Sequence, residues 1–441
     1  MFTILAAKSL TKKSYFRELL VELLYDILKI KKIKMDNITD LLKVYYSRLF
    51  PLDEYYKWLS YGDADLFKLR EFSFTLEGDI YIRYQAFNDQ NDLGKALVSM
   101  FPVKIDIGAV FNIFPGEKSG SKKLEAMERE LVFDIDLTDY DEVRTCCSEA
   151  NICNKCWKYM SIACKILDVA LRDDYGFEHI LWVFSGRRGI HAWICDSVAR
   201  SLDSSQRGAI AEYFQLIFGG AYSKRKVNLY KIHPSVRRAL NIISPIFVPM
   251  CVEEQNMLGT EKNINKFLIL LPDDDTRKEV KSLFDRYTTS LDRWNAFLSY
   301  HEQTKGKGTK WRQHKNFIDE IMIEYCYPRL DINVTKGLNH LLKSPFCVHP
   351  KTGKISVPFN PKAVDKFDPI TVPTIHKVIE EINAYDNLDK TVEGDSSQAK
   401  RIKDYKKTSL NKPLHVFNEF LRKLELARTK ENIAAVELME F

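Results

Sequence analysis

The seven residues Leu131-Val-Phe-Asp-Ile-Asp-Leu137 constrain this chain more than any other stretch. In a strand, alternate side chains share a face, so Leu131, Phe133, Ile135 and Leu137 point into a core while Val132, Asp134 and Asp136 point the other way. Two carboxylates then stand side by side on an otherwise apolar strand. Like charges that close repel unless something positive compensates them, and a pair of hard divalent cations on oxygen ligands is the usual solution. Such two-metal sites serve phosphoryl transfer. A strand end at which Asp merely forms the turn fits the same letters, so context has to decide.

The chain has 441 residues, enough for one very large domain or two to three ordinary ones, since single cores stop growing at roughly 250–300 residues. No apolar run approaches the ~20 residues a bilayer span needs, which sets aside a membrane-spanning protein. The net charge of +6 looks like a nucleic-acid signature until its distribution is read. Residues 1–34 hold eight Lys/Arg against three acids, a surplus of five, so residues 35–441 carry only +1. Any polyanion site must therefore come from local clustering. Segment 1–34 lacks both a secretory cleavage pattern and the acid-free, Arg/Ser-rich character of a mitochondrial presequence. It reads as an atypical extension, and the working region is expected to begin near Met35.

Helical spacing runs from 37 to 60, broken at Pro51. Segments 71–76 and 79–84 alternate across Glu77-Gly78 as a hairpin. Strands are expected at 103–111, 131–137, 180–185, 190–195, 329–334 and 354–359, and helices at 157–173, 209–218, 236–243, 277–300 and 412–428, with a loop at 302–313. This is an α+β chain: a mixed α/β core in two parts, 35–200 and 326–385, around an inserted helical subdomain at 201–325. A polar linker at 386–408 and a helical segment at 409–441 follow.

Ser185-Gly186-Arg187-Arg188-Gly189-Ile190-His191 is more specific than the acidic strand. Two glycines bracket two arginines at a tight turn between apolar strands, which places guanidiniums and backbone N–H groups at one tip, with His191 as a further donor. Arg pairs phosphate oxygens bidentately without titrating near neutrality. A surface turn with solvated arginines is the plainer alternative. Asp331, in Arg329-Leu-Asp-Ile-Asn-Val334, offers a third carboxylate on an expected strand. His340, Lys343 and His349 form a second basic cluster just after it, a pattern also found where cations meet a helix C-terminus. Cys146, Cys147, Cys153 and Cys156 have ligand-like spacing ending in a C-x-x-C knuckle, which fits one structural, tetrahedral Zn²⁺. The other five of the nine cysteines are scattered among apolar residues, as in a reducing compartment.

Taken in order, REFSFTLEGDIYIRYQ, ELVFDIDLTDYDEVRTCC, NICNKCW, LWVFSGRRGIHAWICD, YPRLDINVTKGLNHLLKSPFCVHPKTGKISVP, FDPITVPT and KDYKKTSL resemble the small, catalytic subunit of eukaryotic DNA primase over roughly residues 37–430. The resemblance implies a primase core with a zinc knuckle at 146–156 and a helical subdomain. It also implies synthesis of short RNA primers on single-stranded DNA from ribonucleoside triphosphates. Family metal ligands for two Mg²⁺ or Mn²⁺ fall on Asp134, Asp136 and Asp331, and the family's further active-site acid on Glu71. Triphosphate-binding positions fall on Ser185, Gly186, Arg187, Arg188, Gly189, His191, Lys343 and His349. His340, Leu341 and Leu342 border the ribose with Lys343; Asp106 falls near the sugar and Arg83 near the nucleotide. The implied partners are template and primer, an iron–sulfur large subunit and the DNA polymerase α complex, in the nucleus. The extension 1–34 and a shortened acidic linker near 386–398 depart from the family pattern. A primase-like repair or translesion polymerase and a non-catalytic zinc-containing nucleic-acid-binding subunit are the competing functions.

Overall fold

The computed structural model describes residues 38–116, 123–217, 226–305, 311, 314–391 and 402–439, so the extension 1–34 lies outside the described residues. Nine strands run through them: β1 (Arg70–Thr75), β2 (Tyr81–Gln85), β3 (Lys104–Phe111), β4 (Ala126–Glu128), β5 (Leu131–Asp136), β6 (Ile180–Phe184), β7 (Gly189–Ile194), β8 (Leu342–Lys343) and β9 (Val357–Pro358). They form two antiparallel sheets. One is ordered β2-β1-β3-β4 with β8 also on β3, and the other β5-β7-β6-β9. The β1–β2 hairpin turns at Gly78 and Asp79, at φ 79° and 60°. A pair of left-handed residues suits the twist of a tight hairpin.

Strands β6 and β7 are buried along their whole length because the second sheet is covered on both faces. On one face lies the helix Asn154–Asp173, with Trp157 on Phe184 at 5.5 Å between ring centroids and Trp182 Nε1 donating to Asp168 at 2.9 Å. On the other, Trp193 packs on Trp58 of the helix Leu52–Ser60, and Trp58 on Phe417 of the helix Asn411–Met439. Segments from both ends of the chain thus close one mixed α/β core. Between β7 and β8 the longer elements are helices: Ser204–Tyr213, Pro234–Phe247, Glu261–Ile269, Asp274–Phe284, Ser290–Thr304 and Phe317–Cys326. Phe247, Phe267, Trp294 and Phe297 form the aromatic core of this inserted part.

Several expectations need correction. Residues 329–334 are not a strand: Asp331 accepts the Asn333 N–H at 3.0 Å and caps a short helix, Ile332–Lys336. An Asp side chain offers the backbone this local bond in competition with a ladder. The helical stretch 277–300 is two helices, separated where Thr289 caps the second through the Asp292 N–H. The helix expected over 209–218 is Ser204–Tyr213, and Phe218 lies outside the described residues. Only Val357–Pro358 of 354–359 pairs as a strand, with Lys354 and Ile355 in single bridges. The loop expected from 302 begins after Thr304, and 306–310 and 312–313 lie outside the described residues. Within 386–408 the helix Ile375–Thr391 continues to its end, Asp404–Lys407 form a helical turn, and 392–401 lie outside the described residues. Arg48 bonds Asp386 and Asp404 at 2.8 Å each, tying down both flanks of that stretch.

The continuous helical run Pro234–Glu254, of 21 residues, is long and apolar enough by length and composition to cross a bilayer, contrary to the sequence expectation. Val236, Leu240, Ile243, Phe247, Met250 and Cys251 on it are buried within the protein, which makes it a core helix of the inserted part.

Behind β5 lies a fully buried ion pair, Arg70 Nη2 to Glu130 Oε1 at 3.0 Å, joined by Tyr61 Oη at 2.7 Å. Burial alone would raise the Glu130 carboxyl, but the Arg70 charge and its hydrogen bonds hold it down at about 2. Glu130→Gln strands a buried guanidinium, and equilibrium unfolding is expected to show a loss of about 3–5 kcal/mol at neutral pH. Because this carboxyl is depressed in the folded state, its contribution is present above the unfolded value of 4.5 and lost as pH falls toward about 2. The mutant's stability curve should therefore lose slope in that window.

Candidate active site

Register on the second sheet sets the site's geometry. Asp134 pairs with His191 and Asp136 with Gly189 across β5–β7. Gly189 is required there, because a Cβ would sit 2.6 Å from the Ile135 carbonyl oxygen. Gly186 has φ +89°, and its Cβ would press on His349 and Lys343. The two glycines thus permit close packing, rather than an open turn of free N–H groups: the Gly189 N–H is taken by Ser185 Oγ at 3.1 Å.

Three carboxylates converge at the end of β5. The Asp331 N–H donates to the Asp134 carbonyl at 3.3 Å, bringing the capping turn onto the strand. Burial first, then the charges of Asp136 and Asp331, push the Asp134 carboxyl up to about 7. Asp139, which the sequence reading passed over, is raised to about 6 by burial and by Asp136 and Asp134. Its signal was present in the acid run that follows the strand. So much partly desolvated negative charge fits a site for divalent cations.

The cationic side is built by both sheets. Arg188 Nε donates to both Asp136 carboxylate oxygens at 2.8 Å. Lys343, on β8 opposite Asp106 of β3, reaches the second sheet and donates to the Ser185 carbonyl at 2.8 Å. Burial pulls its amine down to about 8. Thr352 Oγ1 donates to the Gly186 carbonyl and Ser356 Oγ to that of Ser185, bracing the arginine turn from the 350s segment. His191 Nε2 lies 3.5 Å from Asp134, yet burial and Lys343 hold the ring down at about 3, so it is neutral at physiological pH. His349 is likewise held at about 3, by burial, Lys343 and Arg187. His340 is lowered by burial and by Arg129.

Glu71 on β1 is buried and paired with Arg83 of β2 at 3.0 and 3.1 Å, and it accepts the Tyr84 N–H at 3.2 Å. Tyr84 takes φ 58°, a strained conformation for a bulky residue. That twist aims its amide at Glu71. Gly108 on β3 lets Leu341 and Glu71 approach, since a Cβ there would meet them at 2.8 and 3.1 Å. Asp106 accepts from Lys104 at 2.8 Å and Ser73 at 3.2 Å, and its other oxygen is buried without a partner among the described residues. Leu342 pairs with Ile107 on β3.

The four thiols of Cys146, Cys147, Cys153 and Cys156 offer ligand atoms within 4.8 Å of one another, a set compatible with a zinc site. Cys153 caps the helix Asn154–Asp173, and its N–H meets Cys156 Sγ at 3.2 Å. Two further residues that the sequence reading missed support the cluster. Gln255, fully buried, accepts from the Thr145 and Cys146 N–H groups and donates to Cys146 Sγ at 3.3 Å. Arg144 Nη1 approaches Cys156 Sγ at 3.8 Å. Gln255 has no local sequence signal, because it arrives from the helical part, whereas Arg144 stands two residues ahead of Cys146.

Comparison with known proteins gives the chain's family. A family model described as DNA primase small subunit matches residues 133–361. The chain is 49% identical over 409 residues to the DNA primase small subunit of Drosophila melanogaster, covering 90% of this chain and 93% of that protein. It is 40% identical to that of Schizosaccharomyces pombe, over 77% of each chain. With that of Saccharomyces cerevisiae identity is 35%, over 78% of this chain and 90% of the other.

Proposed function

Because this chain belongs to the DNA primase small-subunit family, we propose that it synthesises short RNA primers on single-stranded DNA from ribonucleoside triphosphates. The observation that carries this is the meeting of three carboxylates with Arg188 at the end of β5, beside the arginine turn that Lys343 reaches from the other sheet. A nucleic-acid-binding module has no need of that pairing.

Asp134, Asp136 and Asp331 would hold two Mg²⁺ or Mn²⁺ ions, which when bound lower the pKa of an attacking 3′-hydroxyl and neutralise triphosphate charge. Arg187, Arg188 and Lys343 bind and orient the phosphates and stabilise the charge that develops on departing pyrophosphate. Neutral His191 and His349 each donate at most one ring N–H, which favours phosphate oxygens without adding charge. The 340–343 segment and Asp106 face the sugar, and the Glu71–Arg83 pair stiffens the wall beside it. Base identity is read by template pairing, so the protein's contacts run mainly to backbone. Cys146, Cys147, Cys153 and Cys156 would hold one Zn²⁺ in a closed shell that serves structure. A large subunit, the DNA polymerase α complex and nuclear placement complete this reading.

The test is dinucleotide formation from free nucleotides on an unprimed single-stranded template, with ribo- and deoxyribonucleotides compared. Joining of two ribonucleotides is the expected result. Extension of preformed primers alone would make the chain a repair-type polymerase, and template binding without synthesis would make it a non-catalytic subunit. Arg187→Ala should raise the nucleotide KM by about 10–100-fold, the loss of charged hydrogen bonds worth ~1.5–3 kcal/mol, with an unchanged metal requirement. Arg188→Ala should disturb both, since Arg188 also holds Asp136. Steady-state kinetics at varied metal concentration separates the two.

A further inference from the structure

The third carboxylate sits at the start of a helix only five residues long, Ile332–Lys336. A helix so short does not hold its own position. Two arginines fasten it, one reaching from each side. Arg129, just ahead of β5, is fully buried and its Nη1 donates to the Gly337 carbonyl at 2.8 Å and, at the limit of bonding, to that of Val334 at 3.5 Å. These carbonyls lie at the helix's C-terminal end, where intrahelical donors run out. Arg329, just ahead of Asp331, reaches the opposite way. Its Nη1 donates to the Asp139 carbonyl at 2.9 Å, its N–H to Tyr140 Oη at 3.2 Å, and its guanidinium lies 5.5 Å from the Tyr140 ring centre.

We propose that Arg129 and Arg329 are positioning residues, which cross-stitch the strand of Asp134 and Asp136 to the turn of Asp331 and thereby set the site's affinity for divalent cations. This rests on the reading that the three carboxylates hold those cations. Arg129 is costly to keep. Among the described residues its Nε and Nη2 find no hydrogen-bond partner, and Arg207 lies beside it, donating to the Glu130 carbonyl at 3.1 Å and also to that of Arg129. Buried donors left unmet cost about 1–3 kcal/mol, so packing alone favours an apolar side chain at 129. What the guanidinium adds is reach to Gly337. The Asp331–Asp134 main-chain bond, the packing of the short helix on β5 and on the helix Ser204–Tyr213, and the Lys336–Glu212 ion pair at 3.1 Å hold the same turn, and the two arginines add hydrogen bonds at its two ends.

The test uses the full chain with Arg129→Met, Arg129→Lys, Arg329→Met and Asp331→Asn. Mn²⁺ binding to metal-free protein is measured by calorimetry, together with the Mn²⁺ needed for half-maximal synthesis, nucleotide KM at saturating Mn²⁺, zinc content and Tm. Both methionine variants should weaken Mn²⁺ binding by about 10–100-fold, the range for residues that orient metal ligands, with nucleotide KM and zinc content unchanged. Arg129→Lys should recover part of the loss, and carries the test should Arg129→Met fail to fold. Wild-type Mn²⁺ binding in the arginine variants, with only Tm lowered, would reduce both residues to ordinary structural roles. Should Asp331→Asn also bind Mn²⁺ as wild type does, the carboxylate reading itself falls; should it alone lose binding, only the stitch falls.

Discussion

Asp134→Asn and Asp136→Asn are each expected to lower template-dependent nucleotide incorporation by at least about 10³-fold, with the fold and zinc content retained. The magnitude follows from removing one anchor of a site that supplies several kcal/mol of transition-state stabilisation, at about 1.4 kcal/mol per tenfold. The two variants should differ in stability. Asp134 is crowded by Asp136 and Asp331, so removing its charge relieves repulsion. The Tm of the metal-free protein should stay level or rise. Asp136 accepts from the Thr138 N–H at 2.9 Å and from Arg188. Asn keeps the cap but not the ion pair, so a small fall is expected. Primer synthesis retained in either variant would remove the two-metal assignment.

If the four thiols hold one Zn²⁺ as proposed, Cys153→Ser and Cys156→Ser should each lower zinc content and lower Tm by about 5–10 °C. Binding of a structural zinc ion is folding free energy, and one kcal/mol moves Tm by only about 2–4 °C or less in a chain of this size. The damage should spread beyond the knuckle. Cys153 caps the long helix that covers the second sheet, and Gln255 ties Cys146 to the helical part. Metal analysis with thermal unfolding checks this, and hydrogen exchange should show the 248–255 turn losing protection with the knuckle. Full zinc content, or an unchanged Tm without zinc, would overturn it.

Strong local periodicity made most of the frame legible in the sequence. The alternating strands β1, β3, β5, β6 and β7 lie within a residue or two of their expected positions. The reading failed at Arg329–Val334, whose alternation was real but was overruled by Asp331 capping a helix. It also failed at Arg277–Tyr300, where apolar periodicity carried on past a Thr289 cap. Both failures come from side chains that bond the backbone, which a hydrophobic pattern does not register. Gln255, Arg129 and Asp139 were missed for another reason: each matters because of a neighbour distant in sequence or because burial magnifies its charge.

By itself the sequence determined which residue types stand together: two carboxylates on one strand face, two arginines between glycines, and four cysteines at ligand spacing. Those are consequences of backbone periodicity and covalent spacing, which are local. Only the tertiary structure decided that Asp331 meets the strand of Asp134, that Arg188 rests on Asp136, and that His191 is neutral. Contact between remote segments follows from how the whole core packs, and a side chain's charge state follows from every group that surrounds it.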